Sequence, residues 1–364
     1  MKQVYVCFIA VLLYNTAAAQ TFEQTQVITT AVPSLQVPVD TRAGGMGEAG
    51  IAISADVNSV FVNRAKTAFA TNGGGIGVNY IPWLRDVAPG MYLASLAGYT
   101  TIGEGQAVSA SVRYFNLGNF ELRDNSGTLL QTSHPNDLLL DLGYARALSD
   151  KLSLGIALRY IRSSLATGKV GSVSYKPGKA IAADISMFYN GANAKGEGFT
   201  AGVVASNLGT KISYIDNVAA KEFLPANLGA GAAYTWIPAE QHRITAAVDI
   251  NKLLVPAMQP GDSIADYHNT SVLSSYGKAF SNKMYRYSFG LEYTFNNQFS
   301  ARAGYLLEQK NNGNRNGLTV GIGLQYKVCA LNIAYFASTG NGVTRNPVSN
   351  SLRFGVIFNL GKGE

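Results

Sequence analysis

Apolar and polar residues alternate with a period of two along most of this chain. The segment 285–295 places its tyrosine, phenylalanine and leucine side chains on one face, and residues such as Arg286, Gly290 and Glu292 on the other. The same period returns at residues 152–160 and 318–327. It predicts strands with one apolar and one polar face, recurring from residue 73 to residue 360.

About fourteen segments keep this period for about ten residues, and an even count is usual for single-chain outer-membrane barrels. A backbone in lipid must satisfy its hydrogen bonds internally. We therefore predict an all-β fold, a transmembrane antiparallel β-barrel of about 14 strands with lipid outside and a polar lumen. A soluble β-sandwich is the alternative, because it also alternates apolar and polar residues. The predicted strands begin near Gly74, Met91, Gln106, Asp137, Lys151, Ala180, Phe199, Asn227, His242, Tyr285, Gln298, Gly317, Val328 and Ser351.

The predicted connections alternate in length. Short turns are expected at residues 102–105, 149–150, 191–197, 238–241 and 296–297 and near residue 327. Longer loops are expected at residues 119–136, 166–179, 209–226, 253–283, 308–316 and 337–350, and only the loop at 84–89 on that side is short. Outer-membrane barrels have short periplasmic turns and longer outer loops. This alternation favours the barrel and predicts a periplasmic N-terminus.

The N-terminus has the layout of a secretory signal. Lys2 precedes an apolar run, and three alanines precede Gln20. We predict a signal peptide over residues 1–19, an N-terminal periplasmic or hatch segment over 20–72 and the barrel over 73–364. Charged residues make up 14% of the chain, against about 25% in soluble domains. The net charge of +7 is spread rather than clustered, so nucleic acid binding is not expected, whereas contact with outer-membrane lipid and anionic lipopolysaccharide is.

Charged residues of both signs recur on the faces predicted to line the lumen. Such a set indicates either a polar conduit or a salt-bridged filling that keeps the barrel from collapsing. The predicted lumen charges are Arg113, Asp141, Arg159, Asp184, Asp249, Arg286, Glu292, Arg302 and Arg353.

The segment before the first predicted strand is rich in glycine and apolar residues. Glycine permits close backbone approach and tight turns, and flexible tails are seldom so apolar. We expect this segment to fold back into the lumen as a hatch, with a flexible periplasmic tail as the alternative. The candidate hatch residues are Arg42, Gly44, Gly45, Met46, Gly47, Asp56 and Asn63.

The longest predicted outer loop, residues 253–283, carries apolar and aromatic side chains that a solvent-exposed loop would avoid. Either it binds a partner or its side chains fold down and cap the barrel mouth. The candidate partner-binding residues are Leu253, Leu254, Val255, Met258, Tyr267 and Tyr276.

The sequence offers little material for catalysis or metal binding. His134 and His268 fall in different predicted outer loops, and His242 begins a strand at the other end. A Gly-x-Ser-x-Gly motif and paired metal-ligand spacings are absent from the sequence. Cys7 lies in the predicted signal, which leaves Cys329 without an internal partner. We expect no enzyme activity and no cofactor.

Residues 42–47, followed by Ala49, Gly50, Asp56 and Asn63, resemble the hatch of FadL-like outer-membrane barrels, which have fourteen strands. Within that superfamily the sequence resembles the PorV family of the type IX secretion system, through residues 112–118, 157–163, 223–228 and 249–256. One departure is Asn63-Arg64-Ala65, where the family usually has Asn-Pro-Ala. This departure replaces the proline that sets a rigid turn at this point of the family's hatch.

This resemblance implies a shuttle rather than a catalyst. PorV-like proteins are taken to receive the C-terminal signal domains of exported cargo at the translocon pore. They then pass the cargo to a cell-surface attachment complex containing a sortase-like protease. The alternative implied by the superfamily is uptake of hydrophobic small molecules through the barrel.

Overall fold

The computed structural model describes residues 30–83, 90–171, 173–216, 221–257, 263–280, 284–309, 315–339 and 351–361. Some sequence predictions lie outside these ranges: the signal peptide, residues 20–29 of the hatch segment, the short loop at 84–89, the candidate loop residue Met258, residues 362–364 of the barrel, and parts of the predicted loops at 209–226, 253–283, 308–316 and 337–350. In the described part of the chain, no helix has the length and apolar character needed to cross a membrane.

Fourteen antiparallel strands close into a barrel, which confirms the predicted fold. Each barrel strand pairs with the next one in the chain, and the last strand closes on the first with Gly74 opposite Leu360. Every barrel strand begins within two residues of its predicted start. The barrel strands are β1 Gly74–Pro82, β2 Tyr92–Gly103, β3 Gln106–Asn116, β6 Asn136–Ala147, β7 Leu152–Ser164, β10 Gly178–Asn190, β11 Gly198–Gly209, β12 Asn227–Ala239, β13 His242–Leu253, β14 Tyr285–Phe295, β15 Phe299–Glu308, β16 Gly317–Tyr326, β17 Cys329–Ser338 and β18 Ser351–Leu360.

The two faces of the wall differ as the two-residue period requires. On β7, the side chains of Ile156 and Leu158 are exposed on the outside of the barrel. Ser153 and Arg159 of the same strand point the other way and are buried in the lumen. An apolar exterior and a polar interior invert the arrangement of a soluble protein. The wall is therefore suited to lipid.

The two ends of the barrel have different connections. The end that we call the turn end has short turns, such as residues 148–151 and 296–298, and β1 starts and β18 finishes there. Asn296 and Asn297 both have positive φ (53° and 53°), which tight hairpin turns require and asparagine tolerates. The other end, the loop end, has the long connections. The predicted alternation of lengths is confirmed.

The loop end contains regular structure that the sequence analysis did not predict. Two hairpins stand outside the barrel sheet, β4 Phe120–Arg123 with β5 Leu129–Ser133 and β8 Gly168–Val170 with β9 Val173–Tyr175. Two helices, α3 Ile264–Asn269 and α4 Val272–Ala279, lie between β13 and β14. The N-terminal segment adds α1 Thr41–Gly44, α2 Ser59–Val62 and two short 3-10 helices, Pro33–Gln36 and Arg64–Phe69.

Candidate functional site

The N-terminal segment lies inside the barrel and bonds to strands on all sides. Ala65 N donates to the Ser186 hydroxyl of β10, and Gly47 N donates to the Thr319 hydroxyl of β16 at 2.7 Å. The Thr200 hydroxyl of β11 donates to the Ala52 carbonyl, also at 2.7 Å. Because these strands surround the lumen, residues 30–72 fill it in the manner of a hatch.

Glu292 joins the hatch to the wall through two arginines. Arg42 of α1 donates from Nη2 to Glu292 Oε1 at 2.7 Å and from Nε to Oε2 at 2.9 Å, a bidentate pair. Arg302 of β15 donates to the same carboxylate at 2.6 Å. Asp56 of the hatch lies 3.3 Å from Arg42. Four of the predicted hatch and lumen residues thus meet in one cluster.

Glu48 is the centre of a second cluster. Its carboxylate lies 2.7 Å from Arg353, 3.5 Å from Arg315 and 3.9 Å from Arg286. Burial alone would raise the pKa of Glu48, but the three arginines outweigh it and lower that pKa to about 2. The sequence analysis missed both Glu48 and Arg315. Arg315 comes from a glycine- and asparagine-rich loop, where a charge is ordinarily solvated.

Asp141 is the centre of a third cluster on the opposite strands. Arg159 donates to it at 2.6 Å, and Arg64 and Arg113 lie 3.7 Å from it. Arg159 also pairs with Asp184 at 2.7 Å. Eight of the nine predicted lumen charges are therefore ion-paired with one another or with the hatch, as the salt-bridged filling requires.

Asp249 holds the hatch by backbone contacts. Its Oδ2 accepts from Gly50 N at 2.8 Å and from Ile51 N at 3.0 Å. A carboxylate that accepts two N–H groups fixes the path of the chain without needing a cationic side chain. All nine predicted lumen charges therefore lie against the hatch or against each other.

The glycines of the hatch approach the wall closely. Gly47 has φ +65°, and a Cβ added at Gly304 of β15 would come within 2.1 Å of Gly47 N. Gly45 lies against Gly321 of β16, and a Cβ at Gly44 would meet the Arg353 side chain. Met46 is fully buried beside them. Glycine on both the strand and the hatch provides the space for this contact.

Asn63 and Arg64 anchor the last hatch helix. The Asn63 side chain accepts from Ala65 N at 3.1 Å and donates to the Ile51 and Met187 carbonyls. Arg64 is buried, and its Nη1 donates to the Ser109 hydroxyl at 2.7 Å. Where the family usually has a proline that constrains the backbone, this chain has an arginine whose side chain is hydrogen-bonded to Ser109 of the barrel wall.

The described candidate partner-binding residues of the 253–283 loop are buried or half-buried, as expected if their side chains fold down over the barrel mouth. Leu253, Val255 and Tyr267 are buried with Phe223 and Met284. Leu254 is buried with Ala226 and Ala279, and Tyr276 packs against that cluster. These side chains form the cap at the barrel mouth, to which α3 contributes Tyr267 and α4 contributes Tyr276 and Ala279.

Other apolar side chains at the loop end are exposed. They belong to hairpin β4–β5, to hairpin β8–β9 with the chain before it, and to α4, where Leu273 is 82% exposed. Hairpin β4–β5 is bonded to the chain that leads into hairpin β8–β9, since Gln131 Nε2 donates to the Thr167 carbonyl and the Ser133 hydroxyl donates to the Leu165 carbonyl. The exposed side chains on these hairpins are Phe120, Leu129, Leu130, Leu165 and Val173.

A closed fourteen-stranded barrel with an apolar exterior and an N-terminal segment in its lumen is the architecture of an outer-membrane β-barrel with a hatch. Several solved structures share this fold. The toluene transporter TbuX of Ralstonia pickettii has a TM-score of 0.50 and 13% identity, covering 92% of this chain and 97% of its own. The toluene transporter TodX of P. putida has a TM-score of 0.55, 11% identity and coverages of 88% and 98%. The CymD monoaromatic hydrocarbon channel has a TM-score of 0.55, 15% identity and coverages of 89% and 97%.

These likenesses establish the fold. The family model of the type IX secretion system protein PorV matches residues 20–260, and the chain belongs to this family. It is an outer-membrane β-barrel of the type IX secretion system. A comparison with curated proteins gave no significant match.

Proposed function

We propose that this protein receives the C-terminal signal domains of exported cargo at the translocon pore and passes them to a cell-surface attachment complex with a sortase-like protease. The family match over residues 20–260 carries this proposal. The filled lumen supports it, since cargo handling needs an exposed surface rather than an open channel. The residues available for such a surface are those at the loop end.

The same proposal sets the orientation of the barrel. The loop end faces the cell exterior, and the turn end, where the hatch segment leads into β1, faces the periplasm. Outer-membrane barrels place their long connections outside. A tag inserted at the exposed turn residue Lys195 should be protected from protease on intact cells, and cleavage there would reverse the assignment.

The exposed apolar side chains of the two hairpins are the cargo-docking surface in this proposal. Apolar side chains exposed together on a rigid element are typical of protein-binding sites. The hydrogen bonds from hairpin β4–β5 to the chain that leads into hairpin β8–β9 hold this surface in one arrangement. Leu129 and Leu130 are both about half exposed, and neither belongs to the buried clusters of the cap.

The double variant L129E/L130E tests the docking surface. We expect the barrel to assemble and cargo to accumulate without reaching the cell surface, measured by surface labelling of a cargo protein. The matched control L148E/V328E changes two exposed apolar residues in turns at the opposite end and should leave display normal. Normal display by an assembled L129E/L130E barrel would remove this surface from the proposal.

Uptake of a hydrophobic small molecule is the competing function, because the toluene transporters share the fold. The lumen disfavours it. A cavity of about 130 Å³ beside the hatch is small, and its lining mixes charged side chains such as Asp40, Glu48 and Arg286 with apolar ones such as Val37, Phe61 and Leu253. Purification from native membranes distinguishes the two functions: a large translocon or attachment partner supports the shuttle, and a lone barrel with bound fatty acid supports uptake.

We also infer that the protein acts without catalysis. Among the residues that the structure describes, the side-chain partners of the histidines include no serine, threonine or cysteine: His134 bonds to Asn119, His242 to the Tyr293 hydroxyl and His268 to Glu222. His242 lies at the turn end, away from the other two. Lipid A that is unchanged in mass in a strain with and without the protein would agree with this inference, and a lost acyl chain would contradict it.

A further inference from the structure

A basic cleft of about 740 Å³ lies at the loop end, beside β7 and β10. Its walls are the ends of these two strands, the chain after hairpin β8–β9 and the chain that follows β11. Positive charge concentrated in a cleft attracts anionic ligands. The acidic side chain that lines it is Asp216, and the basic ones are Arg162, Lys176, Lys179, Lys211 and Lys221.

Two of these cations lie on the outward face of the barrel wall. Arg162 of β7 is opposite Lys179 of β10, and the next outward pair on the same strands is Tyr160 opposite Ile181. Tyr160 and Ile181 are exposed on the lipid-facing surface. The cleft therefore begins where the apolar band of the wall ends. A ligand with its charge at that level would have its apolar part alongside β7 and β10.

The basic pair is a local feature of this rim. At the loop end of β1, β2 and β3, the outward positions hold Tyr80, Tyr92 and Tyr114, with ring centroids 5.7 and 6.2 Å apart. Tyrosine is the usual residue at a membrane–water boundary. Arg162 and Lys179 thus place charge on β7 and β10 at a level where β1, β2 and β3 have tyrosine.

The cations of the cleft differ in how they are held. Lys211 donates to the His268 and Thr270 carbonyls at 2.7 and 2.6 Å, and Lys176 is paired with Asp216. Arg162, Lys179 and Lys221 make no side-chain hydrogen bond or ion pair with any other residue that the structure describes. Three cations of the cleft therefore remain available to a ligand, whereas Lys211 and Lys176 are held by other residues.

We propose that this cleft binds the phosphate-bearing headgroup of an anionic membrane lipid, with the acyl chains along the outward faces of β7 and β10. A lipid fits better than a soluble anion because the cleft is continuous with the lipid-facing wall through Arg162 and Lys179. Each basic residue near an anionic membrane contributes about fivefold to binding. Removing two of them should therefore weaken binding by about 25-fold.

The test uses the full-length barrel in neutral nanodiscs and native mass spectrometry. The probes are lipid A with two phosphates and the same lipid A without phosphate. We expect the phosphorylated form to bind at least tenfold more tightly, and R162E/K179E to lose that preference. The control K151E/K195E reverses two exposed charges in turns at the opposite end and should keep it. Heat-dependent gel mobility checks assembly, and K176Q/K221Q replaces R162E/K179E if the strand variant does not assemble.

Three outcomes would overturn the proposal. Equal binding of the two lipid A forms would show that phosphate is not recognised. An equal loss in K151E/K195E would show that overall charge rather than the cleft is responsible. Full competition by inorganic phosphate at equal concentration would identify a site for a soluble anion. None of these outcomes bears on cargo transfer, so this inference and the proposed function fail separately.

Discussion

Replacing Glu292 should release the hatch from the barrel. The E292Q variant removes the carboxylate that accepts from both Arg42 and Arg302 and leaves two buried arginines without that partner. Breaking a buried ion pair by removing one partner costs about 3–5 kcal/mol. Arg42 keeps its contacts with Asp56 and Ser54, which places the expected loss at the lower limit, about 3 kcal/mol.

This loss falls on the hatch because the barrel sheet does not depend on the contact. A change of about 3 kcal/mol shifts the equilibrium between the docked and released hatch by about a hundredfold. Amide hydrogen exchange measures it directly, through amides such as Gly44 N, which bonds to the Asp40 carbonyl at 2.9 Å. We expect protection in residues 41–66 to fall about a hundredfold, with strand amides unchanged.

The matched control is D184N, which removes a lumenal carboxylate paired with Arg159 of the wall. Its hatch protection should change little. The double variant R42M/E292Q should lose less protection than the sum of its single variants, because the two residues share one interaction. Two results would refute this account of how the hatch is held. One is an E292Q hatch whose amide protection stays within about fivefold of the unsubstituted protein, and the other is a loss of protection no larger than that in D184N.

Three further predictions concern the same hatch. G304V should displace it, since the new side chain would collide with Gly47 N, whereas G277A in open space should not; unchanged exchange in G304V would contradict the contact. Glu48 has a folded pKa of about 2 against about 4.5 unfolded, so its contribution of about 3 kcal/mol is present above pH 4.5 and lost as pH falls towards 2. Acid-induced loss of hatch protection in that window should be weaker in E48Q, and identical pH profiles would refute it. R64P should cost less than about 1 kcal/mol of hatch stability. Asn63 already has the extended backbone that a following proline requires (φ −147°, ψ 97°), and Asp141 remains ion-paired with Arg159. A loss above about 2 kcal/mol would show that the Arg64 side chain is essential.

The contrast between the two kinds of loop residue shows where sequence reasoning about function ends. In the sequence alone, four apolar or aromatic residues look alike as members of predicted outer loops: Leu253, Val255, Tyr267 and Leu129. The structure buries the first three in the cap and leaves Leu129 exposed on a hairpin. Periodicity gives the face of a strand but not the path of an irregular loop, so it cannot separate a cap from a docking surface.

The alternation of apolar and polar residues determined the strands, their number and which side chains face the lumen. It does so because the backbone of every strand obeys the same two-residue period and lipid admits only a closed sheet. The positions of Arg113, Asp249 and Glu292 in the lumen followed from this period alone. The tertiary structure decided their partners. Arg42 meets Glu292 across 250 residues of chain, and Glu48 gathers Arg286, Arg315 and Arg353 from separate strands and a loop. Such contacts depend on how the hatch folds within the closed barrel. A local sequence pattern does not determine which residues meet when they are this far apart along the chain.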